Sequence, residues 1–116
     1  MPHIILEATG DFAPKETIKP LLLSLHQLVA KVAGAEINSC KSRFIQHDSY
    51  VIGDGEKHTD FLHLTIKLLS GRTQEQLCAL GEQAFALLKA QYSNIGTEID
   101  ITVLVDEMAK QHYYKD

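Results

Sequence analysis

Residues 61–76 read FLHLTIKLLSGRTQEQ, and this stretch decides the fold. From residue 61 to residue 69, Leu or Ile stands at positions 62, 64, 66 and 68, which is the period of a β-strand. Ser70 and Gly71 are typical of a turn, and Thr73 with Gln76 three residues later forms a capping-box pattern. The stretch predicts a strand that passes through a short turn into a helix.

The helix that begins at Thr73 is followed by a further strand. Its predicted buried stripe recurs at helical spacing and consists of Leu77, Leu80, Ala84, Leu87 and Leu88. Residues 94–96, Asn-Ile-Gly, are expected to end the helix. Ile and Val then alternate with other residues from position 99 to position 105, which predicts another strand.

The N-terminal half begins with the same order of elements. His3–Ala8 is predicted to be a strand, and a helix follows, with apolar residues at helical spacing at Leu21, Leu25, Leu28 and Val32. Because proline has no N–H, Pro20 is expected in the first turn of this helix, with Thr17 as the N-cap. Gly34 is the expected stop.

A second strand is predicted at Cys40–His47, and Ser49–Ile52 is a candidate continuation before the turn at residues 53–55. The chain thus has a strand–helix–strand order twice, over roughly residues 2–52 and 60–106. A helix between two strands implies a parallel, right-handed crossover. We therefore predict an α/β (α+β) fold, in which a doubled β-α-β unit forms a four-stranded mixed sheet with both helices on one face.

Nothing in the chain is predicted to cover the other face of this sheet. The side chains expected there are mixed rather than uniformly polar and are His3, Glu7, His63, Thr65, Lys67, Asp100 and Thr102. Because sheets with parallel strands are rarely open to water on one side, the pattern predicts an oligomer.

Length and composition limit the function classes. The 116 residues predict a single domain over 1–116, and 45% hydrophobic residues exclude a disordered chain. A net charge of −4 argues against a general nucleic-acid binder, which would carry a basic surplus. No apolar run is long enough to span a bilayer, and the first residues do not resemble a signal peptide. We expect a cytoplasmic protein with neither nucleic acid nor membrane as a partner.

Pro2 is the first candidate for chemistry. Removal of Met1 would make its nitrogen a secondary amine, and a dry pocket with nearby cations would lower the pKa of that amine toward neutrality. A base with a pKa near the working pH suits the transfer of a proton on carbon. The alternative is that a proline simply follows the initiator methionine, as in many proteins.

Three cations are the second candidate. Lys41 and Arg43 are two residues apart on a predicted strand and therefore point to the same face. Arg72 lies in a strand-to-helix turn, where helix N–H groups and the helix dipole also favour an anion. Each of the three could instead be a solvated surface charge. A metal site formed by His58, Asp60 and His63 would be poorly spaced, so no metal is expected.

Taken together, these features resemble the 5-carboxymethyl-2-hydroxymuconate delta-isomerase family of the tautomerase superfamily. The resemblance is carried by Pro2-His3-Ile4, by Lys41-Ser42-Arg43, and most sharply by the stretch from His58 to Thr73. It implies a homotrimer whose sheets line a central barrel, which would cover the open face. It also implies cofactor-free tautomerisation of a small unsaturated keto acid that carries carboxylates.

The resemblance assigns roles to single residues. Pro2 would be the catalytic base, and Arg72 would bind a substrate carboxylate or polarise its 2-keto oxygen. Lys41 and Arg43 would bind substrate, and Lys41 stands where the family pattern has an arginine. Lysine keeps the charge but lacks the planar fork, which puts affinity or substrate choice at that carboxylate in question.

Two other functions stay open at this point. One is a non-catalytic trimeric module that binds anions with the same fold, and the other is a tautomerase with a smaller keto-acid substrate. The expected substrate of the leading hypothesis is 5-carboxymethyl-2-hydroxymuconate, from the breakdown of aromatic acids. The spacing of His47, Tyr50 and His63 selects none of them as a general acid.

Overall fold

The computed structural model describes residues 1–96 and 98–116. Its elements in chain order are β1 (His3–Ala8), α1 (Lys15–Ala33), β2 (Lys41–Gln46), β3 (Asp60–Leu69), α2 (Gln74–Tyr92) and β4 (Ile99–Met108). Short 3-10 turns occupy Ile37–Ser39 and Lys110–His112. Within residues 1–96 and 98–116, no helix is both long and apolar enough to cross a membrane.

The four strands form one mixed sheet in the order β2-β1-β3-β4. β1 pairs in parallel with β2, and β3 pairs in parallel with β4. The two halves meet where β1 and β3 run antiparallel, with His3 opposite Lys67. The prediction of a doubled β-α-β unit with a four-stranded mixed sheet is confirmed.

The core lies between the sheet and the two helices. Every second residue of β1 and β3 is buried, including Leu6 and Leu64, whose side chains are fully inaccessible to solvent. Both helices contribute to the same cluster with Leu21, Leu25, Val29, Leu80, Ala84 and Leu88. The alternation read from the sequence therefore places the correct face of β3 toward the helices.

The predicted start of α1 is wrong. The helix begins at Lys15 after Pro14, and Thr17 lies inside it with its hydroxyl donating to the Pro14 carbonyl at 2.6 Å. Pro20 therefore sits beyond the first turn, within the helix. Its missing N–H leaves the carbonyl of Glu16 without that helical partner, and the exposed position of Glu16 lets solvent compensate.

The second strand is shorter than the sequence suggested. β2 covers Lys41–Gln46, and Ser49–Ile52 does not continue it. His47 still donates its N–H to the Ala8 carbonyl at 2.9 Å, after which pairing with β1 ends because β1 itself ends at Ala8.

The capping box at the start of α2 is confirmed. The backbone N–H of Gln76 donates to Thr73 Oγ1 at 3.1 Å, and the N–H of Thr73 donates to Gln76 Oε1 at 3.0 Å. These two bonds satisfy helix N–H groups that have no partner within the helix.

We expect Thr73→Ala to lower the free energy of unfolding by about 1 kcal/mol, because it removes the acceptor for the Gln76 N–H. Urea denaturation at one fixed protein concentration measures this difference. Thr73→Ser keeps the hydroxyl and is expected to retain most of the stability. Equal stability of the alanine variant and the unsubstituted protein would contradict the role given to this cap.

Candidate active site

Pro2 lies buried at one end of the sheet, immediately before the central strand β1. Its side chain is fully inaccessible to solvent, and its carbonyl accepts a hydrogen bond from the N–H of Lys41 at 3.0 Å. Because β1 and β3 are antiparallel, the end of β3 and the turn after it lie beside the start of the chain. The fold itself thus brings residues 70–73 close to Pro2.

A cavity of about 440 Å³ opens at this end of the sheet. We call it the N-terminal cavity, and its lining residues are Met1, Ala33, Leu69, Ser70, Gly71, Arg72, Gln76 and Lys110. They come from the chain start, the end of α1, the turn between β3 and α2, and the C-terminal tail. Four separate segments therefore converge where the Pro2 nitrogen would be freed by removal of Met1.

Arg72 is held in a defined orientation in this cavity. Its Nε donates to the carbonyl of Ala33 and its Nη1 to the carbonyl of Leu69, both at 3.0 Å. Ala33 is the last residue of α1, where unpaired carbonyls and the negative end of the helix dipole favour a cation. The alternative that Arg72 is merely a solvated surface charge does not hold.

These two bonds use Nε and Nη1 and leave the Nη2 donors of the guanidinium available. Within the described ranges 1–96 and 98–116, no hydrogen bond engages Arg72 Nη2. The side fork formed by Nε and Nη2 is closed to a carboxylate, because Nε is already used. Arg72 therefore brings a fixed positive charge to the lining of the N-terminal cavity, where its charge favours an anion.

An amine at this end of the chain is biased toward its neutral form. Burial lowers the pKa of the Met1 amino group, and the positive charges of Arg72, Lys115 and Lys41 lower it further. The Cys40 thiol, as a thiolate, would act in the opposite direction. Desolvation and surrounding cations both disfavour the protonated form of an amine.

Lys41 and Arg43 lie beside this cavity rather than in its lining. Both belong to β2 and are exposed on the face that carries no helix. Arg43 Nη1 donates to His3 Nδ1 at 3.1 Å, so the protonated nitrogen of the neutral ring is Nε2, which lies 2.8 Å from the Tyr113 hydroxyl. Burial first, and then Arg43 and Lys41, lower the pKa of His3.

Residues of the C-terminal tail were missed by the sequence reasoning. Lys110 lines the N-terminal cavity, Tyr113 contacts His3, and Lys115 acts on the charge of the amino terminus. The tail has no hydrophobic period, and its mixture of lysine and tyrosine was the only signal of a possible role.

A second cavity and a possible metal site are less suited to proton transfer by an amine at the start of the chain. A larger cavity of about 830 Å³ lies between α1 and β2 near the far end of β1. Its lining includes apolar Ile18, Leu22 and Phe44 and charged Asp11, Lys15, Lys19 and Asp48, and it lies at the other end of the sheet from the chain start. Among the described residues, no group of three or more His, Cys, Asp and Glu side chains could hold a metal ion. His63 instead lies 2.6 Å from the Thr102 hydroxyl.

The family model for 5-carboxymethyl-2-hydroxymuconate isomerase matches residues 2–116 of the chain. The chain belongs to this family. Its members are isomerases, and the chain is an isomerase-type enzyme of the tautomerase superfamily.

Individual relatives agree with this membership. The 5-carboxymethyl-2-hydroxymuconate Delta-isomerase of Escherichia coli is 25% identical over 93 residues, which cover 80% of this chain and 74% of the relative. A probable tautomerase of Bacillus cereus is 39% identical over 51 residues, which cover 44% of this chain and 80% of that protein. The second match covers less than half of this chain but most of the relative.

A solved structure supports the fold assignment. The 5-carboxymethyl-2-hydroxymuconate isomerase from Deinococcus radiodurans R1 superposes with a TM-score of 0.87 and 22% identity, covering 99% of this chain and 88% of that one. At this identity the likeness establishes the fold alone. The doubled β-α-β sheet with two helices is thus the tautomerase fold.

Proposed function

We propose that this isomerase converts a 2-hydroxymuconate-type unsaturated keto acid without a cofactor, and that 5-carboxymethyl-2-hydroxymuconate is its substrate. The observation that carries the proposal is the N-terminal cavity, in which the start of the chain and Arg72 share one lining. The family relatives named for this reaction support the same substrate class.

The proposed base is the Pro2 amine, which exists only after Met1 is removed. The neutral amine takes a proton from one position of the dienol or unsaturated keto acid and returns it two carbons along. The substrate is thereby isomerised with no net gain or loss of protons. Arg72 binds a carboxylate or the 2-keto oxygen through Nη2 and stabilises negative charge that develops there.

Lys41 and Arg43 would complete the binding of a substrate with several carboxylates. They lie on the uncovered face beside His3, and packing of a neighbouring subunit onto this face would enclose them. We therefore also propose a homotrimer of the family type. Separately, we propose a cytoplasmic location. Sedimentation or light scattering of the purified protein tests the trimer.

The proposed activity is tested by two measurements in sequence. Intact mass of protein from a host with normal methionine processing shows whether Met1 is absent. Ultraviolet absorbance then follows the isomerisation of 5-carboxymethyl-2-hydroxymuconate above its uncatalysed rate. A protein without Met1 that does not accelerate this reaction or that of 2-hydroxymuconate would refute the proposal.

The pH dependence of catalysis follows from the surroundings of the amine. Burial and nearby cations lower the pKa of the Met1 amine, and the same surroundings would act on Pro2 after processing. Because the neutral amine is the base, we expect kcat/KM to be level at high pH and to fall about tenfold per pH unit below that lowered pKa. A pH–rate profile measures the inflection.

Lys115→Gln removes one of the charges that lower this pKa, so its inflection is expected at a higher pH. Lys57→Gln serves as the matched control, because Lys57 is an exposed lysine in the loop between β2 and β3 at the opposite end of the sheet. An inflection that stays in place in both variants would speak against the proposed base at this site.

A non-catalytic anion-binding module of the same fold is the second candidate. It is favoured by one observation, namely that two donors of Arg72 already bind backbone carbonyls and hold the cation as part of the scaffold. Retention of Met1 in the mature protein, together with anion binding without turnover, would support this function over catalysis.

A further inference from the structure

We propose that Lys110 in the C-terminal tail binds a second carboxylate of the substrate and thereby favours substrates with several carboxylates over those with one. The proposal rests on the proposed function, since it assigns a specificity role within the same cavity. It concerns a residue that lies outside every motif found in the sequence.

The position of Lys110 is set by the turn after β3. Lys110 lines the N-terminal cavity together with Met1 and Arg72. Its Nζ lies 3.6 Å from the place where a Cβ atom would be on Gly71, so the ammonium stands directly beside the residue that precedes Arg72. The cavity therefore has cations from two segments that are far apart in the sequence.

The backbone on both sides of Lys110 is held in place. The N–H of Ser70 donates to the carbonyl of Met108 at 2.9 Å, which ties the start of the tail to the end of β3. Further along, the N–H of Tyr113 donates to the carbonyl of Lys110 at 3.3 Å, and the Tyr113 hydroxyl lies 2.8 Å from His3 Nε2. Lys110 thus lies in a backbone segment that is held by hydrogen bonds to the end of β3 on one side and to the chain start on the other.

The charge of Lys110 has no protein partner in the part of the chain that the structure describes. No carboxylate there lies within 4.0 Å of its ammonium, and the side chain is exposed. In a protein with a net charge of −4, an unpaired cation that faces a cavity is available for an external anion. Lysine also adapts its position to a carboxylate, because its ammonium sits on a flexible stem.

Arg72 and Lys110 would bind different carboxylates of the substrate, because their side chains are held to different degrees. Arg72 is fixed by two backbone carbonyls and suits the carboxylate next to the reacting carbons, whose position must be precise. Lys110 is free to move and suits a more distant carboxylate, whose position can vary between substrates. A substrate with one carboxylate would use Arg72 alone.

The test compares Lys110→Gln with the control Lys57→Gln on two substrates. One is 5-carboxymethyl-2-hydroxymuconate, which has three carboxylates, and the other is the enol of phenylpyruvate, which has one. We expect Lys110→Gln to raise KM for the tricarboxylate about five- to tenfold with kcat within about twofold, and to leave both constants for the monocarboxylate within about twofold. Lys110→Arg is expected to restore most of the affinity.

Equal changes for both substrates would overturn the proposal, since they would indicate a general effect on the fold or the base. No change for the tricarboxylate would overturn it as well. Circular dichroism of the variant and its oligomeric state check that the tail substitution leaves the fold intact.

A binding measurement separates this proposal from the proposed function. Calorimetry with benzene-1,3,5-tricarboxylate and with benzoate requires no turnover. If the unsubstituted protein isomerises neither enol, the proposed function fails. Selective weakening of tricarboxylate binding in Lys110→Gln would still support the role of Lys110. Equal binding by both proteins, or no binding by either, would overturn it.

Discussion

Replacement of Pro2 by alanine is expected to lower kcat about 100-fold for the proposed isomerisation. A positioned general base contributes ~10²–10⁴-fold to the rate, and alanine leaves a primary amine at the same place that retains part of this activity. Stopped-flow or steady-state absorbance measurements with 5-carboxymethyl-2-hydroxymuconate give kcat and KM separately. KM is expected to change little, because the cations of the cavity remain.

The comparison requires that Met1 be removed from both proteins, which intact mass establishes. A side chain as small as alanine also leaves a cavity where the buried Pro2 ring was, so thermal unfolding is measured alongside activity. Unchanged kcat in a folded, processed Pro2→Ala protein would rule out the proline as base.

Arg72→Ala is expected to lower kcat/KM about 100-fold, mainly through a higher KM. It removes the charge and the Nη2 donors from the cavity, and it also leaves the carbonyls of Ala33 and Leu69 without their partner. We therefore expect a concurrent loss of about 1 kcal/mol in the free energy of unfolding. Kinetics and urea denaturation measure the two effects on the same preparation.

Arg72→Lys helps to separate these two roles. Lysine keeps a positive charge near the end of α1 and in the cavity but lacks the planar group that binds Ala33 and Leu69 together. We expect it to recover part of the affinity and less of the stability. If Arg72→Ala lost stability but kept kcat/KM, Arg72 would be a structural residue alone.

Most of the fold could be predicted from the sequence because the two β-α-β units have clear periods. Alternation in residues 61–69 and the capping box at Thr73 are local signals, and both match the structure. The start of α1 was predicted wrongly because Pro20 was assumed to mark the first turn. A helix in a packed protein tolerates an internal proline where the lost hydrogen bond lies at the solvent side.

The candidate site was predictable only in part. Pro2 and Arg72 were named from the sequence and its resemblance to the family, and the antiparallel pairing of β1 and β3 explains why the start of the chain lies beside the turn that holds Arg72. The hydrogen bond from Arg72 to Ala33 could not be foreseen, because it depends on where α1 ends in space. Lys110 was missed because a short tail without periodicity acquires its position from tertiary contacts alone.

The antiparallel pairing at the centre of the sheet gives the backbone an approximate twofold symmetry. It relates the first unit to the second and one end of the sheet to the other. By position relative to the strands, Thr59 before β3 corresponds to Pro2 before β1, and Asp11 after β1 corresponds to Arg72 after β3. The end of the sheet that holds Thr59 therefore has an internal peptide nitrogen where Pro2 could supply a terminal amine. It also has the carboxylate of Asp11 where the other end has the guanidinium of Arg72. The doubled architecture thus carries different residues at its two topologically equivalent ends, and the proposed chemistry requires the residues of the end that holds Pro2 and Arg72.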